Sequence, residues 1–548
     1  MKRWIYSLLF LCIPICVHAQ KNSFEEQQIT RLRSNDDDNI ETAVEAISKS
    51  GNIAFYDLMT ALFNAELYLT DQGQLVVAGS TREDDYGETF AQLNTAYPKR
   101  TVLLDDANIP IEVNLYNLTE VESNRRIRAL IQPYLTQMEI FHPDPLKRRV
   151  AAETLGHQGN PDAIPILTQA IAKETDTDIK SFMQVARAKL QLQHKDANIR
   201  LEAVTALGEL NDTFVLPLLE SHAEKETDAT VQTELKSTIQ WLKEFTVIMM
   251  AVQTAFVGLS LGSILILVAL GLAVIYGQMG VINMAHGEFM MTGAYTTFVV
   301  QNICFALLPA AYIDVFFPVS LPLAFVISGC FGLLIERLII RHLYSRPLES
   351  LLATWGVSLV LVQLARSIFG DLTAVKLPKW LSGGYALAPQ VLLPYNRLFI
   401  IVFTVFIVVG LIAFFYKTNF GLRLRAVTQN RDMSACMGVP VRRVDSFTFF
   451  IGTGIAGVAG WAMTLIGNVV PNMGQTYIVD AFLVVVVGGV GKIIGTIVAG
   501  LGIGISNKVL EPFVEAVYAK VLILGLIIMF LQANPTGIFP AKGRNEDQ

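Results

Sequence analysis

A chain of 548 residues with mean hydropathy +0.45 and only 16% charged residues is too apolar for an ordinary soluble globule. Its net charge of −6 hides two unlike parts: residues 20–245 carry 22 Lys/Arg against 36 Asp/Glu, and residues 246–548 carry 18 against 12. An acidic soluble segment is joined to a basic membrane segment, and nothing in this distribution points to nucleic acid.

The chain opens with Lys2 and Arg3, followed by an apolar run over 5–17 that is too short to span a bilayer. Val17-His18-Ala19 offers a small-residue cleavage site, which predicts a signal peptide over 1–19 and a mature chain from Gln20. Ile15 is too large for a lipoprotein signal before Cys16, and an uncleaved anchor is the alternative. A cleaved leader places residues 20–245 outside the cytoplasm. Of five cysteines, Cys12 and Cys16 fall in the leader and Cys304, Cys330 and Cys436 in the apolar part, so no disulfide framework supports the soluble segment.

Residues 20–245 repeat at an offset of 52. Asp144, Arg148, Ala151, Leu155, Gly156, Pro165 and Leu167 recur as Asp196, Arg200, Ala203, Leu207, Gly208, Pro217 and Leu219, and Lys173-Glu174-Thr175-Asp176 recurs as Lys225-Glu226-Thr227-Asp228. A weaker copy starts near Asp36. Each unit reads as an amphipathic helix, a turn and a second helix near the proline. The array resembles HEAT-type repeats, which stack because one unit cannot bury its apolar face alone. Residues 66–118 interrupt it, and Leu67–Leu69 and Leu75–Val77 around Asp71-Gln72-Gly73 predict a hairpin. The array offers a concave face to a protein partner or acts as a spacer. His142, His157, His194 and His222 lack metal-ligand spacing and read as surface residues; no metal and no cofactor is expected.

From 246 the chain carries apolar runs near 247–276, 281–303, 319–340, 351–369, 398–416, 446–467, 479–505 and 518–532. Each approaches the ~20 residues needed to span a bilayer. Glycines at 488, 489 and 491 interrupt the seventh and leave an extra crossing open, so the expectation is eight or nine crossings. Counting from an outside residue 245 puts the loops at 341–350 and 417–445 inside. Both are basic, as the positive-inside rule requires. The fold class is therefore all-α: a helical-repeat domain over 20–245 with a small β insertion, then a polytopic helical membrane domain over 246–548.

Within the first two runs lies Gly271–Tyr295, which carries Asn283, His286 and Glu288 among apolar residues and glycines. Ionisable groups at membrane depth are costly unless they face a cavity or a partner, so the stretch reads as the lining of a solute path. Helix glue is the alternative. Asn283 and His286, at i and i+3, can share a helical face. His286 and Glu288 pair only if the helix breaks, which Gly287 permits.

Tyr276-Gly277, Gly280, Ile282-Asn283, Ala285-His286-Gly287-Glu288 and Gly293-Ala294 together resemble the signature of the branched-chain amino acid permease family of ABC importers, over roughly residues 250–540. The basic run from Gly421 to Gly438 is similar to that family's cytoplasmic loop, which docks into an ATPase subunit. The resemblance implies that role for Gly421, Arg425, Ala426, Asn430, Ala435 and Gly438. A solvated basic loop is the alternative. Pro471 to Phe482, with Gln475, Tyr477 and Asp480, looks like the urea-type branch of the family; these residues are solute-path candidates or interfacial anchors.

Two short motifs mislead. Gly452-Thr-Gly454-Ile-Ala-Gly457 fits a dinucleotide fingerprint but lies in an apolar span, where small-residue helix packing is expected. Gly488-Gly-Val-Gly491-Lys492 suggests a phosphate loop, but Val486 and Ile493 break the Walker pattern.

The resemblance implies a non-enzymatic permease of a bacterial inner membrane, importing urea or a short amide. It works with a second homologous permease, two cytoplasmic ATP-binding subunits and an extracytoplasmic solute-binding protein. A branched-chain amino acid importer is the first alternative. A membrane sensor or scaffold is the second, although its longest expected cytoplasmic loop, 417–445, is short for an output domain. A membrane enzyme would need a nucleophile–base or metal constellation, and none is apparent.

Overall fold

The computed structural model describes residues 24–83, 88–105, 108–309, 312–344, 346–388 and 391–539. The expected signal peptide lies outside them. The chain divides into two compact units, Met1–Lys243 and Glu244–Gln548.

The first unit holds three copies of one pattern. α1 (Asp37–Ser50), α2 (Tyr56–Phe63) and α3 (Arg125–Glu139) form the first copy. α4 (Pro145–Gln158), α5 (Ile164–Lys173) and α6 (Thr177–Gln191) form the second. α7 (Ala197–Glu209), α8 (Leu216–Ala223) and the start of α9 (Ala229–Met279) form the third. Each copy thus has three helices, where the sequence suggested two. The repeated Lys-Glu-Thr-Asp motif explains the extra helix. Asp176 ends the motif and caps α6, its side chain accepting from the amides of Asp178 and Ile179. Asp228 caps α9 in the same way, through Thr230 and Val231.

The motif's glutamate carries a second function. Arg148 Nε and a terminal nitrogen donate to Glu174 at 2.7 and 3.1 Å, and Arg200 donates to Glu226 at 2.8 and 2.7 Å. Each pair ties the first helix of a copy to the turn before its third. The hydrogen bonds from Arg200, with amide donors at Asp228 and Thr227, outweigh burial and bring Glu226 down to about 2. Burial alone would raise Glu174, but Arg148 and the same type of amide donors hold it below the usual carboxylate range. Two of the histidines also act within the repeat: His142 Nδ1 and His194 Nδ1 accept from the amides of Asp144 and Asp196.

The β insertion enters the first copy between its second and third helices. The expected hairpin is present as β1 (Leu67–Leu69) and β2 (Leu75–Glu83), with Leu67 opposite Val77 and Gly73 in the left-handed region. It grows into an antiparallel sheet with β3 (Thr89–Thr95), β4 (Glu112–Asn114) and β5 (Thr119–Glu120), ordered β4-β3-β2-β1-β5. Val77 and Leu67 join Ile40, Leu58, Ile127 and Tyr134 in one apolar core, so the sheet belongs to the first repeat's interior.

The second unit contains the apolar end of α9, α10 (His286–Leu307), α11 (Phe316–Leu338), α12 (Pro347–Phe369), α13 (Tyr395–Lys417), α14 (Asn419–Gln429) and α15 (Arg431–Cys436). A small ribbon, β6 (Gly384–Ala388) with β7 (Val391–Pro394), precedes α13. α16 (Val441–Met463), α17 (Met473–Gly488), α18 (Ile493–Leu510) and α19 (Ala516–Ala533) complete it. Among the described residues, six helices are long and apolar enough to cross a membrane, against the eight or nine crossings expected. α10 falls outside that set on composition, because His286, Glu288, Gln301 and Asn302 lower its hydropathy. α17 has 16 residues, about 24 Å of helix, short of the ~30 Å hydrocarbon core. The seventh apolar run is two helices, α17 and α18, turned at Gly489 (φ +96°) and Gly491 (φ +73°). The phosphate-loop-like motif is this turn.

The most apolar window of α9 is 89% buried and that of α13 only 22%, which puts α9 at the centre and α13 at the rim of the unit. α16 is central too, and its glycine motif packs helices as expected. A Cβ on Gly452 would lie 2.7 Å from the Gly271 carbonyl, and one on Gly457 2.7 Å from that of Ala324.

Candidate functional site

α9 stops where Gly280 takes φ +67°, and residues 280–285 are non-helical before α10 begins at His286. The break therefore comes at Gly280 and not at Gly287. Gly287 lies in the first turn of α10, where a Cβ would collide with the backbone of Gly474. His286 and Glu288 occupy one regular turn and diverge. His286 Nε2 lies 3.2 Å from the Val268 carbonyl of α9, which selects the tautomer protonated at Nε2. Glu288 Oε1 accepts from Ser358 of α12 at 2.8 Å.

Asn283 does not share a helical face with His286, because it sits in the break. Its Oδ1 accepts from the Ala285 amide at 3.0 Å and its carbonyl from the His286 amide at 3.3 Å, so it shapes the turn. The Met284 amide donates to Thr354 of α12 at 3.1 Å. Thr354 and Ser358, one turn apart on α12, thus face the break. Asn283, His286 and Glu288 are at most 1% exposed. Asn283 Nδ2, His286 Nδ1, Glu288 Oε2 and Gln278 Oε1 have no hydrogen-bond partner among the described residues. Each such atom costs roughly 1–3 kcal/mol. All four fall between residues 278 and 288, on side chains whose other polar atoms turn to different neighbours.

The second candidate set is split. Gln475 is exposed, Tyr477 packs against the apolar core, and Asp480 Oδ2 lies 3.4 Å from Lys520 Nζ on α19. Their neighbour Gly474 meets the first set: a Cβ there would stand 2.6 Å from Glu288 Oε2. The start of α17 is therefore seated on Glu288 through a residue the sequence did not single out.

In the basic loop, α14 and α15 form two short helices. Three of the six loop candidates are occupied internally. Gly421 is buried against the backbone of Phe415, and Arg425 lies over the Tyr416 ring at 5.0 Å. Asn430 caps α15, its Oδ1 accepting from the Met433 amide at 2.9 Å. Ala426, Ala435 and Gly438 are exposed beside Leu422, Met433 and Met437, which are 60%, 60% and 78% exposed. That apolar surface is available to a partner.

A buried polar network passed unnoticed in the sequence. Asp445 on α16 is fully buried; it accepts from Gln278 Nε2 at 2.9 Å and pairs with Arg431 at the start of α15. The loop is thereby tied to the end of α9, two residues before the break. Glu336, also buried, accepts from Ser446 at 2.9 Å, Tyr344 at 3.0 Å and Arg341 at 3.2 Å, and Arg431 lies over the Tyr344 ring. The available signal was an acidic residue at the end of an apolar run close to arginines.

Comparison with known proteins agrees with this architecture. The profile of the family described as branched-chain amino acid transport system / permease component matches residues 254–531. A PBS lyase HEAT-like repeat profile matches residues 147–173, covering α4 and α5. The high-affinity branched-chain amino acid transport system permease protein LivH of Escherichia coli (strain K12) is 30% identical over 300 residues, which is 52% of this chain and 94% of that protein. The corresponding protein BraD of Pseudomonas aeruginosa is 29% identical over 287 residues, 51% of this chain and 93% of that protein. A probable LivH permease of Methanocaldococcus jannaschii is 28% identical over 288 residues, 50% of this chain and 88% of its own. No solved structure matches. From the family profile and these relatives, the chain belongs to the branched-chain amino acid transport system permease family.

Proposed function

We propose that this chain is a membrane-spanning subunit of an ATP-driven importer, and that it carries branched-chain amino acids through a path gated at the break between α9 and α10. The observation that carries the reading is the buried break itself, with unpartnered polar atoms on Gln278, Asn283, His286 and Glu288. An amino acid brings an ammonium group and a carboxylate. Glu288 Oε2 suits the first, and the apolar residues around the break suit the side chain. The site is closed to solvent in this conformation, so solute reaches it only when the surrounding helices move. The names of the relatives favour this substrate over the expected urea. In this reading the energy comes from two cytoplasmic ATP-binding subunits docked on α14 and α15. The solute arrives from an extracytoplasmic binding protein, a second permease completes the path, and the repeat unit lies outside the cytoplasm.

One observation favours urea or a short amide as a second reading. The urea-like run from Pro471 to Phe482 places Gly474 against Glu288, and a carboxylate oxygen accepts N–H from a neutral amide as readily as from an ammonium. Uptake by the complete assembly in vesicles, with radiolabelled leucine and urea as separate solutes, separates the two. ATP-dependent leucine uptake supports the first reading and urea uptake alone the second. Neither solute moving, with ATP hydrolysis intact, would reject both.

A further inference from the structure

A cavity of about 510 Å³ opens between the end of α11 and the start of α16, and no residue of the break lines it. It is lined by Arg337, Arg341, Arg442 and Arg443 together with Leu333, Ser446, Phe447 and Phe450. Arg341 is held by Glu336 and Ser446. Arg337, Arg442 and Arg443 are exposed and form no ion pair among the described residues. Three guanidinium groups with no ion pair among the described residues therefore line one cavity with two phenylalanines. Leu334 and Leu338, on α11 next to the lining residues Leu333 and Arg337, are 52% and 65% exposed, and Phe447 in the lining is 44% exposed. These belong to helices long and apolar enough to cross a membrane, and in a spanning helix exposed apolar side chains face hydrocarbon.

We propose that this cavity binds an anionic phospholipid, its phosphate among Arg337, Arg442 and Arg443 and its acyl chains along Leu334, Leu338 and Phe447. The occupant must be anionic at one end and apolar at the other, and basic pockets between spanning helices at the cytoplasmic side have that character. An acidic segment of a docked ATPase fits less well. The loop offers such a partner Leu422, Met433 and Met437, whereas the cavity lining lies on membrane-spanning helices. Ser446, in the cavity wall, neighbours Asp445, so the lipid would sit beside the network that anchors the loop through Arg431. The proposal rests on the membrane-spanning reading of α11 and α16 and is independent of the transported solute.

The test uses the full-length chain purified without partners. Native mass spectrometry measures retention of phosphatidylglycerol against phosphatidylethanolamine in the wild type, the Arg442→Gln/Arg443→Gln double variant, and an Arg423→Gln control on α14. The wild type and control should retain phosphatidylglycerol preferentially, and the double variant should lose about fivefold of that retention for each arginine removed. Equal retention of the two lipids by the wild type would overturn the proposal. So would an unchanged double variant, or full displacement of the lipid by millimolar inorganic phosphate. In a separate co-purification with the ATPase subunits, a double variant that keeps its lipid but no longer binds them would assign the arginines to a protein partner and overturn it as well. Preferential lipid retention in a chain whose assembly moves neither leucine nor urea would leave this proposal standing and reject only the transport reading.

Discussion

Glu288 is the residue on which the transport reading depends most. It is buried, one oxygen is held by Ser358, and the other is unpartnered. Glu288→Gln preserves the shape and removes the charge. Uptake should fall at least ~10-fold, the scale of one hydrogen bond to a charged group. Asn283→Leu should lower uptake as well, by deleting the bond that shapes the break. Wild-type uptake and substrate-stimulated ATP hydrolysis in both variants would reduce the cluster to helix glue. In the repeat unit, the residue to test is Glu226. Its ordinary value is 4.5 and folding brings it to about 2, so its stabilisation is complete above pH 4.5 and is lost as pH falls towards 2. Glu226→Gln should cost about 2 kcal/mol at neutral pH, the scale of a hydrogen bond to a charged group. It should also flatten the acid limb of stability against pH. Chemical denaturation of the repeat unit between about pH 2 and 7, the range over which carboxylates titrate, measures both. An unchanged acid limb would remove the Arg200–Glu226 pair from the account.

At the scale of elements, the basic loop divides into residues that hold its shape and residues that face outward. Arg425, Asn430 and Gly421 hold shape, so substituting them would confuse docking with folding. Gly438 has φ +82°, and any side chain there strains the backbone, so a substitution at Gly438 would confuse the two as well. Ala426 is exposed on α14. Ala426→Asp should leave the subunit folded while ATPase subunits fail to co-purify and uptake is lost. Normal co-purification with normal uptake would reject the docking role. Gly287 shows the same division. The sequence suggested a hinge there, but its lack of a side chain serves a helix crossing with Gly474, and Gly280 makes the break.

At the scale of the molecule, the chain is two units with separate cores. The third repeat borrows its last helix from the start of α9, whose Val231, Leu235 and Leu242 pack into the core formed with Leu207 and Leu219. A fragment ending at Phe245 keeps those side chains. Residues 20–245 produced alone should therefore be a helical monomer with one cooperative unfolding transition. Aggregation, or a transition without cooperativity, would show that the repeat core depends on the rest of the chain.

The amino-acid sequence by itself determined what periodicity and local chemistry control. The 52-residue repeat, the β1–β2 hairpin, the apolar runs and the family motif were all legible, because each depends on residues close together in the chain. Partner choice was not legible. Asp445 meets Gln278 across 167 residues, Ser358 meets Glu288 across 70, and Gly474 seats α17 on α10. Nothing local marks those residues as partners. Which polar group is satisfied inside an apolar unit depends on which helix lies beside it, and only the packed tertiary structure decides that.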